Sequence, residues 1–181
     1  AIAPFTPAAT SAALYYILHS TLATALLFLV ADLLSRRRVH LRLDTPAPVA
    51  HSGPTAALYL AAAIALAGMP PLSGFLGKLL VLDAWRDHAA VVWTAILVSS
   101  FLMLLGLSRA GSQLFWEASA QPSPTPPRAE PLALAAAFAL LALLAALTLF
   151  AGPVTDWLSA TADALHDPQA YIAANRIKAG P

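Results

Sequence analysis

Charged side chains are missing from four long stretches of the chain, 1–31, 45–77, 88–108 and 131–155. A helix crosses a hydrocarbon core of roughly 30 Å with roughly 20 apolar residues, so each stretch is long enough to span a membrane. Inside lipid the backbone must satisfy its own hydrogen bonds, and helices are the default solution. The alternation of a membrane β-barrel is absent, and the Ala-Leu run over 132–149 argues against one.

The second stretch carries an interruption. Residues 55–68 read as a helix, Met69-Pro70-Pro71-Leu72-Ser73-Gly74 breaks it, and 75–85 resumes. Two prolines remove two backbone donors and crowd the preceding turn. Either one kinked helix crosses here or two shorter ones meet at the break; the two-helix reading is preferred. Five helical units follow, about 11–34, 54–69, 73–86, 89–117 and 131–151, with a C-terminal tail over 152–181. The expected fold is all-α, a polytopic transmembrane helix bundle with a discontinuous helix. The connections, 35–53 with four of the ten basic residues and the Pro- and Ser-rich 121–131, read as solvated linkers. With neither an initiator Met nor a basic leader, the chain is expected to be a fragment of a longer subunit.

Composition narrows the function. Of the residues, 59% are hydrophobic and only 10% charged, against about 25% charged in soluble domains. Ten basic and nine acidic residues leave no basic surface for nucleic acid, and the absence of cysteine removes thiolate chemistry. There is no phosphate loop, nucleophile elbow or dinucleotide fingerprint. His88, beside Arg86 and Asp87, reads as part of a short loop, and His40, His51 and His166 are scattered in linkers without metal-site spacing. Neither an enzyme nor a metal or other cofactor is expected.

Lys78 is the leading candidate. It lies in Phe75-Leu76-Gly77-Lys78-Leu79-Leu80-Val81, with no acidic residue before Asp83. A lysine at the centre of a membrane helix costs about 2.5–3.5 kcal/mol on insertion scales and generally faces water or a carboxylate. Held between desolvation and such a partner, it can gain and lose a proton. The plain alternative is a lysine snorkelling from a short helix end to the interface. The break just before it favours the functional reading, because unwound backbone at membrane depth lines cavities and ion sites. Pro70, Pro71, Gly74 and Gly77 therefore belong to the candidate site, although the glycines alone would also suit helix packing.

His19 is the second candidate for proton transfer. It stands beside Tyr16, Ser20 and Thr24, which recur every four residues as one polar stripe. A histidine there suits a proton relay near neutral pH, or simply a hydrogen bond between helices. Asp32 and Arg36, at i and i+4, read as an ion pair at the end of the first helix.

Two segments carry a resemblance. Tyr15-Tyr16-Ile17-Leu18-His19-Ser20-Thr21 with the Ala25–Leu33 run, and Gly68-Met69-Pro70-Pro71-Leu72-Ser73-Gly74-Phe75-Leu76-Gly77-Lys78, resemble the D subunit of the Mrp-type cation/proton antiporters. Val98-Ser99-Ser100 through Ser108-Arg109 to Phe115-Trp116, and the tail around Asp167-Pro168 and Tyr171, follow the same pattern. That family is related to the proton-pumping subunits of respiratory complex I. The resemblance implies the C-terminal part of a subunit of a hetero-oligomeric complex in the bacterial cell membrane, exchanging Na⁺ or another monovalent cation for protons. It implies other antiporter subunits as partners, no cofactor, and a place for Lys78 in a chain of protonatable residues. Where many complex I relatives have a lysine before the Ala-Leu-Leu-Phe-Leu run, this chain has Thr24. The alternative implied is a proton-pumping subunit of a redox-driven complex.

Overall fold

The computed structural model describes residues 5–37, 52–116, 131–169 and 172. Its elements are all helical: α1 (Pro7–Arg37), α2 (Ser52–Ala67), α3 (Ser73–Ala84), α4 (Ala89–Gly111), α5 (Pro131–Leu149) and α6 (Ala151–His166). A single 3-10 turn, Arg86–His88, links α3 to α4, and the residues after α4, Ser112–Trp116, are wound as π-helix. Among the described residues, three helices are long and apolar enough to cross a membrane: Pro7–Arg37, Ala89–Trp116 and Pro131–Leu149. The molecule is an all-α membrane helix bundle, a multi-pass protein. The linker residues His40 and His51, the Pro-Ser linker, Tyr171, Arg176 and Lys178 lie outside the described residues.

α1 is the hub, packed against α2, α3, α5 and α6. Tyr15, His19, Ala23, Leu26, Val30 and Leu33 are all buried on it. Their spacing of three and four residues places them on one helical face. Side chains at both ends secure the hub. Tyr15 Oη donates to the Leu147 carbonyl of α5 at 3.1 Å, and Arg37 donates to the buried Thr55 hydroxyl of α2 at 2.7 Å. Asp32 and Arg36 form the i,i+4 ion pair at 2.9 Å.

α4 differs from the rest. None of its residues is buried, and Val91, Leu97, Val98, Phe101 and Leu102 are exposed. Such a face suits lipid or a neighbouring membrane helix. Its C-terminal end is nonetheless anchored: Tyr59 of α2 donates to the Leu107 carbonyl at 2.8 Å and meets the Phe115 ring in a tilted contact, centroids 5.5 Å apart.

The stretch from residue 152, read from the sequence as a tail, is helical as far as His166. Pro153 falls in its first turn, where a missing N–H costs nothing. Leu158 and Ala162, four residues apart, are buried and give the helix an inner face. Ser159 and His166 hydrogen-bond Ser11 and Thr10 of α1 at 3.2 and 2.9 Å.

Candidate functional site

α2 ends where its carbonyls run out of amide partners. In a continued helix, the carbonyls of Leu66 and Ala67 would bond the amides of residues 70 and 71. Both are proline and have no N–H to give. Gly68 turns the chain away with φ +72°, in the left-handed region that glycine enters without penalty. Its amide bonds the Ile64 and Ala65 carbonyls at 3.1 Å each, and the Met69 amide reaches Ile64 at 3.1 Å. That arrangement leaves Leu66 and Ala67 to a side chain.

Lys78, from the second turn of α3, supplies it. Its Nζ donates to the Ala67 carbonyl at 2.6 Å and lies 3.5 Å from that of Leu66. It also donates to Ser100 Oγ of α4 at 2.7 Å, and that hydroxyl in turn donates to the Ile96 carbonyl at 2.6 Å. Three ammonium protons thus meet three neutral oxygens. The negative end of the α2 macrodipole stands in the place of a carboxylate. Gly68 makes the approach possible. A Cβ there would sit 2.6–2.7 Å from Cδ, Cε and Nζ of Lys78.

His19 holds the same break from the other side. Its Nδ1 lies 2.9 Å from Ser73 Oγ, at the first residue of α3, and both side chains are buried. The Ala65 carbonyl of α2 lies on the other side of the ring, both it and His19 Nε2 crowding Gly74. In a neutral ring, Nδ1 can accept from the Ser73 hydroxyl while the N–H of the other nitrogen is left for the Ala65 side. Gly74 permits this closeness, since a Cβ would run into the Ala65 carbonyl oxygen and come within 2.8 Å of His19 Nε2. Gly77 faces Tyr16 and Tyr15, with Tyr16 Cδ2 only 3.2 Å from an added Cβ. Lys78 and His19 are near enough to interact electrostatically.

A cavity of about 250 Å³ opens beside Lys78, lined by Tyr16, Leu66, Ile96, Ser99, Ser100 and Met103 among others. At about 30 Å³ each it has room for several waters. None of the described residues lining it is acidic.

The break therefore brings together Lys78, His19, Gly74 and Gly77, which the sequence singles out, with Pro70 and Pro71 between the helices. The polar stripe does not reach it as a unit. Tyr16 lines the cavity and its ring lies 6.0 Å from that of His19, whereas Thr24 is exposed. Ser20 and its neighbour Thr21 both donate to the Ile17 carbonyl, at 3.1 and 2.8 Å. Bonding back to the helix satisfies such hydroxyls without a partner helix. Sequence reasoning missed Ser100, Ser73 and the Leu66 and Ala67 carbonyls. One signal was available: the two prolines stand four residues after those two carbonyls.

The family model described as NADH:quinone oxidoreductase/Mrp antiporter, transmembrane, matches residues 2–109, a span that includes the break, Lys78 and Ser100. The D subunit of the Na⁺/H⁺ antiporter of Bacillus subtilis is 32% identical over 180 residues, covering 96% of this chain and 36% of that protein. The D subunit of a probable K⁺/H⁺ antiporter of Rhizobium meliloti is 28% identical, over 93% of this chain and 36% of the relative. The N 1 subunit of the NADH-quinone oxidoreductase of Opitutus terrae is 32% identical, over 85% and 32%. The chain thus spans about a third of the length of the curated relatives it matches. No solved structure matches it significantly. Matched by the family model over more than half its length, the chain belongs to the NADH:quinone oxidoreductase/Mrp antiporter transmembrane family.

Proposed function

We propose that this chain is part of a membrane subunit that exchanges Na⁺ or another monovalent cation for protons, working with other subunits in a bacterial cell membrane. Lys78 lies at membrane depth in this reading and carries the proton, while His19 beside it holds the two sides of the break together. One observation carries it: the ammonium is held by neutral oxygens at a helix end, beside a cavity with room for water. A charge-assisted contact to a carbonyl or hydroxyl can be traded for one to water at little net cost. A lysine locked to a buried carboxylate would lose far more on leaving it. The similarity to the D subunits of the antiporters favours cation exchange, in a transporter rather than an enzyme.

Inverted vesicles from an antiporter-deficient bacterium test the reading. The whole subunit is expressed with its partners, and proton release on addition of Na⁺ or K⁺ is compared with that of Lys78→Ala. The expected result is cation-dependent proton release in the wild type and its loss in an equally abundant variant. Full activity in the variant would remove Lys78 from the path.

The second reading is a proton-pumping subunit of a redox-driven complex, favoured by the similarity to the N subunit of the quinone oxidoreductase. It predicts no exchange with any monovalent cation in the same vesicles.

A further inference from the structure

The oxygens around the Lys78 ammonium form a cage whose chemistry is not specific to lysine. The Ala67 carbonyl and Ser100 Oγ lie 2.6 and 2.7 Å from Nζ, with the Leu66 carbonyl at 3.5 Å. All three are neutral, and the two carbonyls sit at the negative end of α2. Hard oxygen ligands without carboxylates suit a single positive charge. Divalent ions in protein sites draw on carboxylates instead. The carbonyls are free for a ligand because the prolines at 70 and 71 cannot bond them.

We propose that the Leu66 and Ala67 carbonyls with Ser100 Oγ are a binding site for a monovalent cation, and that the Lys78 ammonium is its tethered competitor. The cation and the ammonium exclude one another, because both need the same oxygens. Entry is from the cavity of about 250 Å³, which touches Leu66, Lys78, Ser99 and Ser100. Ser99 is exposed on α4 one residue from the cage, with its hydroxyl on the Ile96 carbonyl at 3.0 Å. Displaced, the ammonium moves into that cavity on a long flexible stem, and Gly68 offers no side chain to hold the stem in place. Among the described residues, the charged and titratable groups around the cage are Lys78, His19 across the break and Tyr16 in the cavity wall, so a bound cation meets no negative charge from these groups. The proposal rests on the exchange reading above and gives it a place where cation occupancy and the position of Lys78 are tied.

Thallium(I), an electron-dense stand-in for potassium-sized cations, tests the site in the purified membrane complex containing this chain. With Lys78→Met, density for the ion is expected between the Ala67 carbonyl and residue 100. Binding should be about tenfold tighter than in the wild type, a change worth about 1.4 kcal/mol, and should be lost again in Lys78→Met/Ser100→Ala. A correctly folded Lys78→Met complex with no ion at that position overturns the proposal. If that variant does not assemble, the wild type serves: saturating Tl⁺ should raise the labelling of Lys78 by an amine reagent severalfold, and unchanged labelling counts against the site. These outcomes are separate from the vesicle assay. An empty cage together with Lys78-dependent exchange would refute the cation site alone, whereas an occupied cage with exchange intact in Lys78→Ala would refute the proton role alone.

Discussion

Two basic side chains hold one break, and they are held in opposite ways. His19 is 2% exposed and enclosed by protein on both sides, hydrogen-bonded to Ser73 at the start of α3 and set against the Ala65 backbone of α2. Lys78 is half-buried, bonded to a helix end and a hydroxyl, with a cavity alongside. A group enclosed by fixed partners is suited to joining two helix halves. A group with neutral partners and adjacent space is suited to letting go of them. In the proposed reading, then, His19 is the pin of the break and Lys78 its moving part.

The most severe way to break this contrast is Gly74→Ala. The added Cβ meets the Ala65 carbonyl and the His19 ring together, and neither backbone nor enclosed ring can step aside. An overpacking cost of about 3 kcal/mol is expected, read as a large fall in the unfolding midpoint of the complex and in its abundance in the membrane. Lys78→Met comes next. Exchange should fall more than about tenfold while assembly persists, since water from the cavity can take over the two carbonyls that would otherwise cost about 1–3 kcal/mol apiece unpaired.

Smaller effects are expected at Gly68, Ser73 and Thr24. Gly68→Ala places a Cβ at φ +72° and against the lysine stem. It should cost about 1–2 kcal/mol and lower exchange less than Lys78→Met does, because the stem can bend. Ser73→Ala removes one neutral hydrogen bond from His19, worth about 1 kcal/mol. It should leave exchange near the wild-type rate in the vesicle assay. Thr24→Ala, on an exposed position of α1, should change the unfolding midpoint by no more than about 0.5 kcal/mol equivalent.

The bundle was legible because lipid imposes a simple rule on the chain: apolar length gives helices, and prolines punctuate them. Lys78 and the prolines stood out because each breaks that rule locally. α6 was missed, since Asp156 and Asp163 give it the composition of a solvated tail, and only its spacing of apolar residues marks the inner face. The partners of Lys78 were hidden for a different reason. Ser100 is one hydroxyl among several on α4, and nothing in its own segment says that it faces α3 across twenty-two positions. Backbone carbonyls have no letter in the sequence at all, and those of Leu66 and Ala67 become visible only when the amides four residues later are counted. The stripe of Tyr16, Ser20 and Thr24 illustrates the converse error. A hydroxyl that can bond its own helix need not face anything.

The proposed division of labour between His19 and Lys78 is open to a paired comparison. Cation-dependent proton release is compared in vesicles carrying Lys78→Met and His19→Gln at equal abundance. Glutamine keeps both a donor for the Ala65 backbone and an acceptor for the Ser73 hydroxyl. It therefore preserves the joint while removing the titrating ring. The account predicts that Lys78→Met abolishes release and His19→Gln retains most of it. Loss of release in His19→Gln, with Lys78→Met still active, would contradict it.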